Sequence, residues 1–417
     1  MDNSRTIRKK DKLIALIRTM ALFVLLTAVL VLLLPNSAQA QDWQIEPILR
    51  VGVEIDDNAG LNFRTDEEIE ETAFLLDARA DLNYTSPTTS FYMQPKAVMR
   101  RDSSESSLDS DDYFLKSRFR REGILNTLGF RVNFDRQSVR TGERDDVDLE
   151  IEDPAEIPND DTGRVFLEGD RDKWRLSPFW EYKLSNLSSI GAEIDYRDAQ
   201  YDDVFAGILS DYSDARLTLE YKRALSDVTN GLILLTGRRY DADDAPSEVD
   251  GYGLSAEIEH ALSRTTQLEV AFGFEDTDQP DIDSDAQFVS SASISRQLET
   301  IRMFAQYKRS FNGTGAGSVL VRDSLNVNFR RRLNEKISAG LGVRAYSEDV
   351  EGAFGSSEER DYVQIRSTVL WYLTEKFVIQ ADYNYTSLNR GEDFGGRANS
   401  NRVNLSFIYQ PKTVPKL

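Results

Sequence analysis

The sequence has 417 residues, 40% hydrophobic and 29% charged, with 71 acidic side chains against 50 basic ones. A net charge of −21 repels nucleic acid and sets it aside as a partner. With no cysteine and His260 as the one histidine, disulfides are excluded, and neither a zinc or copper site nor a resident cofactor is expected.

The chain opens with a basic leader of Arg5, Arg8, Lys9, Lys10, Lys12 and Arg18. An apolar run from Met20 to Pro35 follows, and then Ala38-Gln39-Ala40. That order predicts a secretory signal peptide over 1–40, cut after Ala40. Its removal takes six basic and two acidic side chains and leaves 44 against 69, a net charge near −25. Past it no apolar run is long enough for a membrane helix. Residues 41–410 read as one unit, with no linker composition inside them, and 411–417 as a periplasmic tail.

Period-two alternation dominates that unit. Phe74, Leu76, Ala78, Ala80, Leu82 and Tyr84 alternate with Asp77, Arg79, Asp81 and Asn83, and Leu128, Phe130, Val132 and Phe134 with Arg131 and Asn133. A strand gathers such apolar side chains on one face, whereas a helix scatters them. In chain order the pattern predicts strands over 44–56, 72–84, 89–101, 112–121, 126–137 and 173–184. It continues over 188–198, 213–224, 229–240, 251–262, 266–276 and 286–298. The last six are 300–309, 319–332, 336–347, 361–373, 376–387 and 401–410. Most of these eighteen segments reach the roughly 9–11 residues of a tilted membrane strand.

Connections alternate as well. Short ones, such as Ser86-Pro87, Ser226-Asp227 and Thr374-Glu375, are interleaved with long acidic or glycine-containing ones such as 57–71, 138–172 and 388–400. This predicts an all-β fold, a transmembrane antiparallel outer-membrane β-barrel of 18 strands, with short periplasmic turns and long external loops. Closure is expected between Ile45–Asp56 and Val403–Tyr409, because hydrocarbon offers a free sheet edge no hydrogen-bond partner. Tyr84, Trp174, Trp180, Tyr196, Tyr221, Trp371 and Tyr409 are candidates for aromatic girdles facing outer-membrane lipids and lipopolysaccharide.

The other phase of the strands is charged. Arg79, Lys96, Arg100, Lys116, Arg118, Arg120 and Arg131 form a candidate basic wall of the lumen, and Glu257, Glu259 and Glu269 an acidic wall. Facing each other, they would orient polar solutes and attract anions. The equally weighted reading is that they solvate the lumen and pair with one another. Segment 138–172 carries Glu143, Asp145, Asp146, Asp148, Glu150, Glu152, Asp153, Glu156, Asp160 and Asp161. It can fold inward, meet divalent cations at the surface, or stay a solvated loop, the last being the default expectation. No metal site is expected, since calcium-loop spacing is absent.

Catalysis finds no residues to carry it. His260 falls in the apolar phase near a short turn, no compact Ser/Lys group stands out, and no phosphate-binding or dinucleotide motif occurs. No catalytic residue is expected, and the protein is read as no enzyme.

The Tyr/Arg-rich hairpins, with turns such as Tyr221-Lys222-Arg223-Ala224-Leu225-Ser226, resemble the β-barrel porin type 2 family of Gram-negative bacteria. They are also similar to the outer-membrane barrels encoded with exopolysaccharide biosynthesis and export. That resemblance covers about residues 41–410 and is architectural. It implies a barrel assisting exopolysaccharide export or surface assembly, with anionic exopolysaccharide and export machinery as partners and the basic wall touching the sugar acids. A general small-solute porin and a closed structural or surface-interaction barrel are the alternatives. Pro411 to Leu417 departs from the usual aromatic chain end of such barrels.

Overall fold

The structure is a computed structural model that describes residues 43–411 apart from 105, 145–161, 163–164, 166–168, 203–208, 244–247, 279–285, 316, 352–356 and 391–395. The predicted leader 1–40 lies outside the described residues, as does nearly all of the predicted tail.

Eighteen strands follow one another: β1 (Trp43–Asp56), β2 (Glu71–Thr85), β3 (Thr89–Asp102), β4 (Ser110–Glu122), β5 (Asn126–Ser138) and β6 (Asp170–Lys183). Next come β7 (Ser188–Asp202), β8 (Tyr212–Ser226), β9 (Thr229–Ala242), β10 (Val249–Ser263), β11 (Thr266–Asp278) and β12 (Gln287–Gln297). The ring is completed by β13 (Ile301–Thr314), β14 (Ser318–Arg332), β15 (Ile337–Glu351), β16 (Ser357–Tyr372), β17 (Phe377–Asn389) and β18 (Arg397–Tyr409).

Each strand pairs with the next, and β18 returns to β1 from Leu49↔Tyr409 to Asp56↔Arg402. Residues 43–48 of β1 pair with β2 alone, which is the stagger that a tilted closed barrel requires. No edge strand is left, so the backbone can cross hydrocarbon with its amides satisfied. The expected closure and strand number are both found.

The outer face is apolar because the alternation puts it there. One continuous rung runs Leu219, Leu235, Leu254, Phe274 and Phe288 across five neighbouring strands, in direct register and all exposed. Such a surface belongs in lipid. At the short-turn end Trp43 packs at 5.1 Å on Tyr84, and Phe377 stacks at 5.4 Å on Phe407 and 5.5 Å on Tyr409. Trp180, Tyr221 and Trp371 are exposed on this outer face, as are Trp174 and Tyr196 farther along their strands. Both ends of the barrel chain, Trp43 and Tyr409, lie at the short-turn rim, so the long loops occupy the opposite one. This is the architecture of a Gram-negative outer-membrane barrel, with long loops outside.

Candidate lumen constriction and its charged lining

All seven residues of the predicted basic wall occupy the inward phase. Arg79 stands directly opposite Lys96, Arg118 opposite Arg131, and Arg120 opposite Gly129. The wall is not of one sign, however. Arg100 meets Glu54 of β1 at 3.2 Å and Asp112 of β4 at 3.4 Å, and Lys96 lies 3.7 Å from Asp77. Arg131 pairs with Glu193 of β7, and Arg120 with Glu122 at 2.8 Å. Lys116 lies between Gln94 and Asn133 in register. Asp77 and Asp112 reach these cations because same-phase residues of adjacent strands sit side by side, and Glu54 and Glu193 are reached from two strands away by the long arginine side chains.

The acidic residues also face inward, seven strands farther round the ring of 18 when β4 is compared with β11. Glu259 is directly opposite Glu269, and Glu257 is two positions along β10. Lys222 binds Glu259 at 2.6 Å, Asn230 donates to Glu259 at 3.0 Å, and Ser293 donates to Glu269 at 3.1 Å. His260 lies in the outward phase, its Nδ1 2.8 Å from the Thr229 hydroxyl.

The long-loop mouth is where the interior closes. After β5 the chain makes a short helix, Val139–Gly142, capped by the Ser138 side chain, and runs inward. Arg140 donates to the Leu108 carbonyl at 2.7 Å and pairs with Glu71 of β2. Arg144 reaches Asp56 of β1 at 2.7 Å and also donates to Ser400 of β18. Glu143, wholly buried, accepts from Arg171 at 2.9 Å, from the Tyr201 hydroxyl at 2.8 Å and from the Thr162 amide at 2.7 Å. Arg360 of β16 donates to the Thr162 carbonyl.

The described part of this loop thus touches β1, β2, β6, β7, β16 and β18. The default expectation of a solvated loop is corrected for its described part. Its two arginines and Glu143 each find a buried partner of opposite charge, which holds the segment across the lumen. Asp145, Asp146, Asp148, Glu150, Glu152, Asp153, Glu156, Asp160 and Asp161 lie outside the described residues.

A second element comes from the wall itself. Pairing of β13 with β12 stops at Arg309, and pairing of β14 with β15 stops at Arg322, yet β13 and β14 stay paired to Thr314↔Ser318. Residues 310–321 therefore form a hairpin tip detached from both neighbours. It folds inward onto β7–β10, where Phe311 and Val319 pack with Ala199, Tyr212, Tyr240, Ala242 and Val249. Tyr240 donates to the Thr314 carbonyl at 2.7 Å, and the Ser210 amide to the Gly315 carbonyl at 2.8 Å. Glycine permits the close approach: a Cβ on Gly313 would stand 2.8 Å from Cε2 of Tyr240, and one on Gly315 2.7 Å from Cζ of Tyr201.

The first long loop adds a third contact, Phe63 against the stacked rings of Tyr346 and Tyr362 and against Leu388. Below Tyr346, Arg322 lies over its ring at 4.1 Å and binds Glu348 at 2.8 Å, and Glu348 also meets Arg360 at 2.7 Å. Toward the short-turn rim, inward side chains such as Arg118 and Gln297 are exposed. The lumen is open to water at that end and narrowed at the other.

Sequence reasoning assigned to neither wall a further group of inward cations: Arg175 on β6, Arg197 on β7, Arg216 on β8 and Lys308 on β13. Arg175 makes a two-pronged contact with Asp195, at 2.9 and 2.7 Å, and Arg197 shares that carboxylate at 3.2 Å. Arg216 lies 3.2 Å from Glu275 and reaches the Phe311 carbonyl across the lumen at 3.4 Å. Each residue sits in the phase opposite its strand's apolar side chains, so alternation could have found them singly. What alternation could not supply is the inward bend that brings β13 to β8.

No family pattern matches the sequence, and no curated protein is similar to it at a significant level. Solved structures are similar in outline. OccAB4 of Acinetobacter baumannii is 11% identical at a TM-score of 0.47, over 91% of this chain and 100% of that one. OpdK of Pseudomonas aeruginosa, solved with vanillate, is 11% identical at 0.45, over 89% and 99%. The siderophore receptor PirA of Pseudomonas aeruginosa is 12% identical at 0.41, over 89% and 81%. At this level of likeness neither a residue nor a ligand carries over.

Proposed function

We propose that this outer-membrane barrel is a porin for small water-soluble solutes, with the inward loop and the β13–β14 tip setting its size limit. The observation that carries the reading is the combination of a polar inner face, ion-paired on most strands, with a mouth narrowed by two elements anchored to opposite walls. A purely structural barrel has no need of a polar interior open to water at one end, whereas a passage does. Export of an exopolysaccharide chain would require the described part of the loop after β5 and the described part of the β13–β14 tip to leave the lumen together, against the buried contacts of Glu143, Arg144 and Tyr240. No contact described above favours that use, so the small-solute reading is preferred to it.

Liposome swelling tests the proposal. Proteoliposomes should swell in small sugars at a rate that falls steeply from mono- to trisaccharides. Absence of swelling in any sugar would contradict it and favour a closed surface barrel, for which the tight packing of the mouth already speaks. Undiminished entry of long polysaccharides would contradict it from the other side.

A further inference from the structure

The cations of β6, β7, β8 and β13 converge beside the point where the hairpin tip leaves the wall. Lys308 lies one residue before the end of the β12–β13 ladder, inward and opposite Ser291 and Ser324. No carboxylate approaches its ammonium within ion-pair distance among the described residues. It is within electrostatic reach of Arg216, Arg197 and Arg175, and of Asp195, which stands in register with Arg216. Asp195 already serves both Arg175 and Arg197, and Glu275 serves Arg216. The buried Arg238–Asp214 pair beside Arg216 adds one charge of each sign, so Lys308 remains a cation with no carboxylate at ion-pair distance among the described residues. Like charges held this close repel, and the repulsion is relieved by an anion from solution.

We propose that Lys308, Arg216, Arg197 and Arg175 form an oxyanion-binding site in the lumen, just inside the constriction, that takes small solutes bearing a carboxylate or phosphate. The inference rests on the passage reading and names the solute class for it. Lys308 supplies the mobile charge on its flexible stem. The guanidinium groups are fixed by Asp195 and Glu275, so they present donors in a set direction without being consumed. The Ser177 hydroxyl, 3.3 Å from Asp195, braces that arrangement from β6.

The test uses the whole purified barrel in planar bilayers, with chloride as the current carrier and sodium succinate or sodium phosphate as the added probe. The wild type should prefer chloride over potassium, and the probe should reduce the current in a saturable way. Lys308→Gln should raise the half-blocking concentration about tenfold, whereas Lys336→Gln, which removes a charge in a short turn, should leave it unchanged. Folding of each variant is confirmed by its heat-dependent gel mobility. Block by succinate alone identifies a carboxylate site and block by phosphate alone a phosphate site, and either supports the proposal.

Normal conductance with no block by either probe, or equal block of Lys308→Gln and wild type, overturns the site and leaves the passage standing. Should the wild type carry no current, the passage reading fails separately. The site is then read from thermal melting in detergent. A probe-induced rise in the wild type that is lost in Lys308→Gln supports it, and identical shifts overturn it.

Discussion

The seated hairpin tip is the most consequential contact to disturb, and Tyr240→Phe disturbs it with least change of shape. The ring keeps its packing on Tyr212, 5.7 Å away, and on Phe311, but the hydroxyl that donates to the Thr314 carbonyl is gone. Thr314 is 0% exposed, so its carbonyl exchanges two donors for the Gly317 amide alone, at 3.2 Å, and water cannot replace the hydroxyl while the tip is seated. Losing one such hydrogen bond costs about 0.5–1.5 kcal/mol, which shifts the ratio of displaced to seated tip by roughly 2- to 13-fold. Because the chain has no cysteine, Thr314→Cys introduces a single reporter thiol. Its modification by a small soluble reagent should be slow in the otherwise native barrel and faster by that factor with Tyr240→Phe added. Single-channel records of Tyr240→Phe should show more frequent upward steps. Equal labelling rates and unchanged records would refute the claim that this hydrogen bond holds the tip across the lumen.

Other parts of the structure make predictions of their own. Glu348→Gln leaves Arg322 and Arg360, each 1% exposed in its side chain, without their shared carboxylate. It should lower stability by about 3–5 kcal/mol in urea titrations of the lipid-inserted barrel, and an unchanged midpoint would show the pair to be dispensable. Leu235→Arg places a charge in the middle of the exposed apolar rung and should cost about 2–4 kcal/mol in folding into lipid vesicles. Its indifference would mean that this face does not meet hydrocarbon. Glu143→Gln weakens the hold of Arg171 on the inward loop, and protease added outside should cut the chain within 139–169 several times faster than in the wild type.

How much of this could be read from the sequence depended on where each residue lies relative to the apolar belt. Within the belt, alternation of Leu128, Phe130 and Val132 with Arg131 and Asn133 is forced by lipid on one side and water on the other, so strand number, order and closure were all legible. Above it both faces are polar, and the constraint disappears. Strand β7 was expected to end at 198 but continues through Ala199-Gln200-Tyr201-Asp202, and β18 begins at Arg397 rather than 401. The stretch 310–318 was left between two strands although 310–314 and the chain from 318 are paired. There the partners are each other and the lumen, not lipid, so no oily row marks them.

The charged walls were legible as inward positions and not as fields. Whether Arg100 is a bare cation or the centre of a Glu54–Asp112 pair depends on register across strands distant in sequence. The same holds for Lys308, whose neighbours Arg175, Arg197 and Arg216 are about 90 to 130 residues away in the chain. The inward course of the loop after β5 was one of three expectations. Only the burial of Glu143, Arg140 and Arg144 selects among them.

Stepwise ion current through the processed barrel, reconstituted alone in a planar lipid bilayer, bears most directly on the account. Discrete insertions of uniform unit conductance are predicted, raised when the tip is freed by Tyr240→Phe. A barrel that inserts with full β-content and heat-dependent mobility, yet carries no current with the tip either seated or freed, would contradict a water-filled passage narrowed at its outer mouth.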